Sequence, residues 1–381
     1  MKRKILYISG SRADYGLMRS VLFRIKNTPD LELHIAATGM HLLPEFGSTI
    51  DEIQQDGFTC HRIDATQVQD SKDSMALFIG CFIQKCVPVI NEIKPDFILL
   101  LGDRGEMLGG AIVGAYLGIP VVHIHGGEIT GTVDEIARHA ITKLSHIHLP
   151  ATQESAQRII RMGEDPKNVH VVGAPGLEQI QERELLTPSE TGRKYNLDLS
   201  KPVILVLQHS VTLDGKNPAY QMRQTLEAIQ ELNEQSIIIY PNTDAGGRAM
   251  IDEIKKFENF PNIQIFPTLG HKDFLSILRS SSVLAGNSSS GIIEAPSFGI
   301  PVVNIGTRQE GRTRGENVIE SGYDKDEIKT AIEYALYNME FRERVKTAKN
   351  PYGDGNSSSL IVGILEKTPI TTDLIQKRLA Y

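Results

Sequence analysis

The sequence contains little cysteine. Only three cysteines, Cys60, Cys81 and Cys86, occur among its 381 residues. Their spacing matches neither a disulfide framework nor a zinc knuckle. We therefore expect buried free thiols in a reducing compartment, which indicates a cytoplasmic protein.

Long apolar stretches and long basic stretches are also missing. No apolar run approaches the roughly 20 residues that span a bilayer, so we expect no membrane partner. Lysine and arginine total 40 against 47 acidic residues, a formal net charge of −7, and no long basic run occurs. We therefore expect no nucleic acid partner. The apolar run before Gly10 ends too early for a signal peptide and is expected to be a first strand.

Several cofactor and nucleophile motifs are absent. The first strand is not followed by Gly-x-Gly-x-x-Gly, and no Gly-Lys-Ser/Thr pair of a P-loop occurs. There is no Gly-x-Ser-x-Gly elbow either. These absences argue against nicotinamide redox chemistry, ATP-driven phosphoryl transfer and a serine hydrolase, and we expect no cofactor.

What the chain does contain is an alternation of strand and helix patterns. It is 40% hydrophobic and 23% charged, a globular composition, and it is too long for one ordinary core. Apolar runs without period-two alternation are typical of parallel strands buried on both faces. The predicted strands are Ile5–Ser9, Leu33–Ala37, Phe97–Leu101, Val121–Ile124, His146–Leu149, Val169–Val172, Val203–Leu207, Ile237–Tyr240, Ile263–Phe266, Val283–Ala285 and Val302–Ile305. The predicted helices of the first half are Tyr15–Lys26, Ser74–Lys94, Glu106–Leu117, Asp134–Leu144 and Gln153–Met162.

This rhythm predicts an α/β protein of two doubly wound domains that face each other across a cleft. Residues 175–199 break the rhythm and are expected to form a linker. We place the first domain at residues 1–173 plus 366–381 and the second at residues 174–365. A last helix, about Thr371–Leu379, would return the chain to the first domain.

Small and charged residues follow many of the strands. In parallel sheets, ligands bind beyond the carboxyl ends of the strands, so these loops predict a site in the cleft. The loops are 10–16, 102–104, 125–128, 208–210, 241–246, 286–291 and 306–315.

The loop Gly286–Gly291, Gly-Asn-Ser-Ser-Ser-Gly, is the most informative of them. Between a strand and a helix at 292–299, it would direct backbone N–H groups and hydroxyls at an anion such as a phosphate. Glu294, about one turn inside that helix, could meet a ribose. From the residues alone, an ordinary capped turn explains the loop equally well.

Other polar residues allow two interpretations each. His123, His125 and Glu128 could bind a metal, although hydrogen-bonded histidines are the simpler explanation and we expect no metal. Asp134 and Arg138, four apart on a helix, could be a surface ion pair. His41 could pack in the core or contact a nucleobase. Three arginines in the loop 306–315 suit a diphosphate better than solvent.

Six motifs together resemble the hydrolysing UDP-N-acetylglucosamine 2-epimerases, including the bacterial enzymes of sialic acid pathways. The resemblance runs from the first strand to about Val318, with the motifs in the same order and spacing. It implies two Rossmann-like domains of the GT-B type. The motifs lie at Gly10–Gly16, Leu101–Arg104, His123–Glu128, Asp134–His146, Gly286–Gly291 and Gly306–Arg312.

The resemblance also implies a reaction. UDP is eliminated across C1 and C2 of the sugar to give a 2-acetamidoglycal. Water then adds at C1 and a proton at C2 from the other face, which releases N-acetylmannosamine. Carboxylates and a histidine can perform these proton transfers because burial and neighbours move their pKa values toward neutrality.

Matching the motifs assigns roles to residues of this chain. The catalytic candidates are Asp103, Glu128, Asp134 and His209, with Asp103 and Asp134 moving protons and His209 assisting the leaving phosphate or the water. Arg138 would position Asp134, and Glu294 would bind the ribose. The diphosphate cradle would comprise Arg12, Ser289, Ser290, Gly291 and Arg312, and the nucleotide side Asn242, Asp244 and Gly246. His125 stands where related non-hydrolysing enzymes carry Glu, so either His125 or Glu128 fills the second acid/base role.

Alternative functions share these motifs. The substrate could be UDP-2,4-diacetamido-2,4,6-trideoxyglucose of the legionaminic acid pathway, or the enzyme could be a non-hydrolysing epimerase. A GT-B glycosyltransferase would share the fold, and a sugar-nucleotide sensor would bind a UDP-sugar without reaction. The family resemblance implies a homodimer or homotetramer.

Overall fold

A computed structural model describes residues 2–43, 49–66, 72–130, 133–178, 180, 185–211, 217–241 and 246–380. The chain forms two compact units. Unit 1 comprises Met1–Glu128, Val133–Gln179 and Tyr352–Tyr381, and unit 2 comprises Ile129–Thr132 and Ile180–Pro351.

Unit 1 is built on a six-stranded parallel sheet in the order β3-β2-β1-β4-β5-β6. The strand β4, Phe-Ile-Leu-Leu-Leu, is buried at every residue because helices cover both faces of the sheet. The strands are β1 (Arg3–Ser9), β2 (Leu31–Ala37), β3 (Cys60–Arg62), β4 (Phe97–Leu101), β5 (Val121–Ile124) and β6 (Ile147–Leu149).

Unit 2 repeats this plan. Its six parallel strands run in the order β12-β11-β10-β7-β8-β9. Both sheets therefore have the doubly wound Rossmann order, which changes direction between β1 and β4 and between β7 and β10. The strands are β7 (Val203–Leu207), β8 (Gln235–Ile239), β9 (Ile263–Phe266), β10 (Val283–Gly286), β11 (Val302–Ile305) and β12 (Val318–Ser321).

Helices connect the strands in both units. Short 3-10 helices occupy Gly39–Leu42, Pro166–Asn168, Pro175–Leu177 and Ala295–Phe298. The α-helices are α1 (Arg12–Lys26), α2 (Ile50–Gln55), α3 (Lys72–Ile93), α4 (Gly105–Leu117), α5 (Val133–Leu144), α6 (Gln153–Arg161), α7 (Pro188–Lys194), α8 (Pro218–Leu232), α9 (Gly247–Lys255), α10 (His271–Ser280), α11 (Ser289–Ile293), α12 (Lys325–Tyr337), α13 (Met339–Thr347), α14 (Ser357–Lys367) and α15 (Thr372–Ile375).

The chain returns to unit 1 earlier than we expected. All of α14 belongs to unit 1, because Ile361, Val362 and Leu365 pack into its core beside Ile5 and Tyr7. The boundary expected at residues 365–366 thus falls inside a helix, and the return occurs at Tyr352. The last helix does pack on unit 1, but α15 covers only Thr372–Ile375.

Three other local expectations differ from the structure. The strand expected at Val169–Val172 is reduced to a single bridge between His148 and Val169. The short strands β3 and β12 were not predicted, because they carry no buried residue and have no clear apolar pattern. The expected linker at 175–199 contains α7, which begins with a capping box at Thr187 and Glu190.

Helix α3 corrects the expectation about apolar length. Its residues Asp73–Ile93 are long and apolar enough to cross a membrane by length and composition alone, with a mean hydropathy of 1.5. This is weak evidence for a membrane span, since core helices pass the same test. Phe78, Phe82, Cys86 and Ile90 pack in a buried cluster of unit 1.

Candidate active site

The loop after β1 is organised by a buried carboxylate. Asp14 accepts hydrogen bonds from Gly10 N at 3.0 Å, from Ser11 N at 2.7 Å and from Ser11 Oγ at 2.9 Å. It completes a capping box that starts α1. Burial raises the pKa of Asp14. Arg12 projects from this loop and pairs with Glu52 at 3.0 Å, with 58% of its side chain exposed.

His41 belongs to the same buried network. It is fully buried, with Nε2 lying 2.9 Å from Ser9 Oγ and Nδ1 2.7 Å from Thr49 Oγ1. Burial lowers the pKa of His41 and so favours the neutral imidazole. The structure therefore supports the packing interpretation of His41 over a nucleobase contact.

The loop after β4 presents Asp103 to an arginine. Arg138, on α5 and 4% exposed, donates from Nη2 to Asp103 Oδ2. Its Nη1 donates to the backbone oxygen of Glu128 at 3.0 Å. Arg138 thus joins the loops after β4 and β5, and it contacts Asp103 where the motif match had paired it with Asp134. Asp134, exposed in the first turn of the same helix, lies one turn earlier.

His123 contacts the loop after β4, which carries Asp103. Its Nε2 lies 2.8 Å from Gly102 O and its Nδ1 lies 3.1 Å from Thr142 Oγ1 of α5. Burial lowers the pKa of His123 to about 3, so the ring stays neutral at physiological pH. Because both ring nitrogens are hydrogen-bonded, the neutral side chain of His123 joins α5 to the loop after β4.

His125 and Glu128 form a close pair after β5. His125 Nδ1 lies 2.6 Å from Glu128 Oε1, and the two side chains are 14% and 3% exposed. His125 adopts a left-handed backbone conformation with φ of 62°, which is uncommon for a residue other than glycine. Local strain of this kind is concentrated at functional sites.

The metal interpretation receives no support from this geometry. The ring nitrogens of His123 lie against Gly102 and Thr142, whereas His125 lies against Glu128. Within the described part of the chain, no group of three or more His, Cys, Asp or Glu residues could hold a metal ion.

In unit 2, the serine loop and the histidine loop are joined by one side chain. Asn287 Oδ1 accepts from His209 N at 2.7 Å, and Asn287 Nδ2 donates to His209 O at 2.9 Å. Asn287 is 1% exposed. This contact lies where the strand order changes direction, between β7 and β10, and it fixes the backbone of the predicted catalytic residue His209.

Gly286 allows this close approach. Its φ is 138°, and a Cβ built there would lie 2.1 Å from Leu207 O. The next residue, Asn287, donates its N–H to the same oxygen at 3.2 Å. The glycine is therefore required by sterics as well as by backbone conformation.

The helix after the serine loop differs from the expected one. It begins at Ser289 and ends at Ile293, with Ser288 as its N-cap, and Glu294 stands at its C-terminal cap. A 3-10 helix, Ala295–Phe298, follows. Pro296 explains the early end, because it lacks an N–H donor and disfavours helical conformation in the preceding residue. Ser289 and Ser290 thus lie in the first turn, Gly291 is buried behind them and Glu294 is 6% exposed.

The arginine loop contacts the serine loop. Arg308 Nη1 and Gln309 Nε2 donate to Asn287 O at 3.1 Å and 2.8 Å. Arg312 Nη1 donates to Gln309 Oε1 at 3.0 Å. Arg314 instead pairs with Glu320, so the three arginines have different surroundings.

Two buried polar atoms flank His209. Gln208 is fully buried, and its Oε1 accepts from Thr225 Oγ1 at 2.7 Å. Its Nε2 and the Oγ of Ser210 have no hydrogen-bond partner among the residues that the structure describes. Buried unsatisfied donors are rare in folded proteins, and a polar ligand is one explanation for them.

The remaining predicted residues lie in the loop after β8. Gly246 has φ of 94° and is the N-cap of α9. Asn242 and Asp244 lie outside the described residues. Two residues that carry much of the geometry, Asn287 and Gln309, were not among the candidates, and His123 was considered only as a metal ligand or a hydrogen-bonded histidine, although each lies inside one of the six motifs. Their positions in those motifs were the available signal.

A family model for UDP-N-acetylglucosamine 2-epimerase matches residues 24–366. The chain belongs to the UDP-N-acetylglucosamine 2-epimerase family. The UDP-N,N'-diacetylbacillosamine 2-epimerase (hydrolyzing) of Legionella pneumophila is 42% identical over 382 residues, covering 100% of both chains. The UDP-N-acetylglucosamine 2-epimerase of Neisseria meningitidis serogroup B is 36% identical over 333 residues, 87% of each chain.

A solved structure shares the fold of the epimerase. The crystal structure of UDP-GlcNAc 2-epimerase from Neisseria meningitidis bound to UDP-GlcNAc has a TM-score of 0.83 at 20% identity, covering 96% of this chain and 100% of that one. The prediction of two Rossmann-like domains of the GT-B class is confirmed. The resemblance to hydrolysing enzymes is also confirmed, and the chain is a hydrolysing UDP-sugar 2-epimerase.

Proposed function

We propose that this epimerase converts UDP-N-acetylglucosamine and water to N-acetylmannosamine and UDP, in the biosynthesis of nonulosonic acids such as sialic acid. The observation that carries the proposal is the cluster in unit 1 in which Arg138 binds Asp103 and the Glu128 backbone, beside the His125–Glu128 pair. It places three ionisable side chains after two neighbouring strands, β4 and β5, beside the guanidinium of Arg138 on α5. Such a cluster suits a reaction made of proton transfers.

The first step is an elimination. A carboxylate, Asp103 or Asp134, removes the C2 proton, the C1–O bond breaks, and its electron pair leaves with UDP. The product is the 2-acetamidoglycal. Arg138 supports this step because a cation beside a carboxylate favours the charged form that accepts a proton.

The second step is a hydration. Water adds its oxygen to C1 and a proton is delivered to C2 from the other face, giving the free manno sugar. His125 and Glu128 are suited to this acid/base role, since a carboxylate 2.6 Å from Nδ1 can orient the ring and stabilise its cation. His209 would assist the departing phosphate or the water.

Unit 2 would bind the nucleotide. The serine loop supplies Ser289, Ser290 and Gly291 for the diphosphate, and Glu294 for the ribose. Arg12 of unit 1 and Arg312 would add cations, and Asn242, Asp244 and Gly246 would line the nucleotide side. Gln208 Nε2 and Ser210 Oγ, which have no hydrogen-bond partner within the described part of the chain, support a polar ligand beside His209. No cofactor is part of this proposal, and we infer a cytoplasmic homodimer or homotetramer.

A second substrate has specific support. The Legionella relative, 42% identical along its whole length, is named for UDP-N,N'-diacetylbacillosamine. That sugar, a 2,4-diacetamido-2,4,6-trideoxyglucose, has the same reacting carbons C1 and C2 and differs at C4 and C6. The proton-transfer cluster would therefore serve both substrates.

Incubation with each UDP-sugar in deuterium oxide, followed by NMR, tests the proposal. We expect UDP and free N-acetylmannosamine with deuterium at C2. Turnover of the diacetamido sugar alone would transfer the proposal to the second substrate. A UDP-linked epimer would indicate a non-hydrolysing enzyme, transfer of the sugar to an acceptor a glycosyltransferase, and binding without deuterium exchange a sensor.

An Asp103→Asn variant tests the cluster itself. It should lower kcat by about 10²- to 10⁴-fold, the usual contribution of a general acid or base. Asp96→Asn is a matched control at the opposite end of β4, where the carboxylate accepts from Lys4 N at 2.8 Å. The control should keep normal kcat. Normal turnover by Asp103→Asn would remove Asp103 from the mechanism.

A further inference from the structure

The C-terminal segment of the chain is fixed to unit 1 at two points. Leu374 of α15 is buried in the main core cluster of unit 1. Ala380 N donates to Gly163 O at 3.0 Å. Lys377 lies between these two anchors, and only 21% of its side chain is exposed.

Lys377 caps the end of helix α5. Its Nζ donates to Thr142 O at 3.2 Å, to Lys143 O at 2.7 Å and to Ser145 O at 2.6 Å. The last carbonyls of a helix have no partner within the helix and carry the negative end of its dipole. An ammonium group among three of them stabilises the last turn of α5 in one position.

A buried carboxylate completes this contact. Glu164, 1% exposed, lies 2.7 Å from Lys377 Nζ, 2.6 Å from Lys143 Nζ and 2.9 Å from His148 Nε2. Burial acts to raise the pKa of Glu164, but these hydrogen bonds outweigh it and lower the pKa to about 2. Glu164 is therefore ionised at physiological pH and holds Lys377 in place.

The same helix carries two contacts to the proton-transfer cluster. Arg138 binds Asp103 and the Glu128 backbone, and Thr142 binds His123, which in turn lies against Gly102 O. Lys377 donates to the carbonyl of that same Thr142. One helix thus links the C-terminal segment to the Asp103 loop through directly bonded groups.

We propose that Lys377 is a positioning residue for the reaction, which sets the placement of Arg138 and Asp103 by fixing the last turn of α5. It does not touch the reacting groups. The inference rests on one part of the proposed function, namely that Asp103 transfers a proton. A displacement of about 1 Å in such a group can cost up to about 10²-fold in rate.

A Lys377→Met variant tests this. Glu164 keeps Lys143 and His148 as partners in that variant, and the exposed edge of the site lets water reach the carbonyls, so we expect a folded protein. At 25 °C we expect kcat to fall about tenfold. The Kd for UDP should be unchanged, and amide hydrogen exchange should increase in the last turn of α5. Lys377→Arg, which keeps charge and donors, should restore much of kcat.

Lys167→Met is the matched control. Lys167 lies elsewhere in unit 1 and pairs with Asp165 at 2.8 Å, with 71% of its side chain exposed. It should leave kcat unchanged. Folded Lys377→Met protein with wild-type kcat would overturn the inference, as would an equal loss in kcat and in UDP binding. If Lys377→Met does not fold, Lys377→Gln provides the same comparison. Absence of turnover by the wild-type enzyme on both UDP-sugars would instead contradict the proposed function.

Discussion

The side-chain amide of Asn287 binds the backbone of His209 on both of its polar groups, accepting from N at 2.7 Å and donating to O at 2.9 Å. A single residue of the serine loop therefore fixes the position of a predicted catalytic histidine on another loop. Asn287 O also accepts from Arg308 and Gln309. Three loops of unit 2 thus meet at one residue.

Replacing this residue tests its importance. Asn287→Leu keeps the number and branching of side-chain heavy atoms but removes both hydrogen bonds to the half-buried backbone of His209, at a cost of about 1–3 kcal/mol in unfolding free energy. We expect kcat/KM to fall about 10²-fold because His209 shifts. Urea denaturation and steady-state kinetics measure the two effects.

Asn304→Leu is the control for that substitution. Asn304 is also buried in unit 2 and donates to Glu320 Oε2 at 2.8 Å. Its loss should lower stability while turnover by the folded enzyme stays near the wild-type value. Unaltered kcat/KM in Asn287→Leu would show that the contact has no part in catalysis.

The pair His125 and Glu128 can be separated by two substitutions. If the imidazole transfers the proton and the carboxylate orients it, His125→Gln should lower kcat by about 10²- to 10⁴-fold. Glu128→Gln should cost less, because a glutamine oxygen can still accept from Nδ1. Deuterium incorporation at C2 and pre-steady-state release of UDP report the two steps. A larger loss in Glu128→Gln would assign the acid/base role to Glu128.

The steric requirement at Gly286 gives a third prediction. Gly286→Ala would place a Cβ 2.1 Å from Leu207 O, so the serine loop or the end of β7 must shift. We expect weakened UDP binding by calorimetry and a lower melting temperature. Gly363→Ala is the control, because no atom of the described residues lies within 4 Å of that Cβ in helix α14. There alanine should raise stability by about 0.5–1 kcal/mol. Wild-type UDP affinity in Gly286→Ala would refute the argument.

Buried histidines predict the pH dependence of stability. Burial lowers the pKa of His123 to about 3 and that of His146 to about 4, from an ordinary value of 6.5. Below pH 6.5 these two histidines therefore bind protons in the unfolded chain but stay neutral in the folded chain. Stability is fully present above pH 6.5 and falls as the pH drops toward 4, by about 1.4 kcal/mol per pH unit for each histidine.

Urea denaturation at pH 7, 6 and 5 measures this slope. His146→Gln should reduce this slope by the contribution of one histidine, about 1.4 kcal/mol per pH unit. The fold should be kept, because a glutamine oxygen can still accept from Val121 N, the donor to His146 Nδ1 at 3.0 Å. An identical slope in variant and wild type would contradict the assignment to His146.

Most of the fold could be predicted from the sequence, because parallel strands buried on both faces are plain apolar runs. Phe97–Leu101, Val203–Leu207 and Ile263–Phe266 have the predicted bounds. The expected helix at 292–299 was wrong because Pro296 was given too little weight. His123 is hydrogen-bonded, as its simpler interpretation predicted. The contact of Asn287 with His209 was beyond prediction, since it joins residues far apart in sequence.

The chain completes unit 2 before it completes unit 1, and this order has a consequence during protein synthesis. Unit 2 is completed at Pro351, whereas unit 1 still lacks Ile361, Val362, Leu365 and Leu374 of its core at that point. On the ribosome, residues 180–351 can therefore assemble their sheet while the first half of the chain still exposes apolar side chains of β1 and α1. A nascent chain that stops near residue 351 would expose these apolar side chains to chaperones, with unit 2, the half that we propose binds the nucleotide, already built.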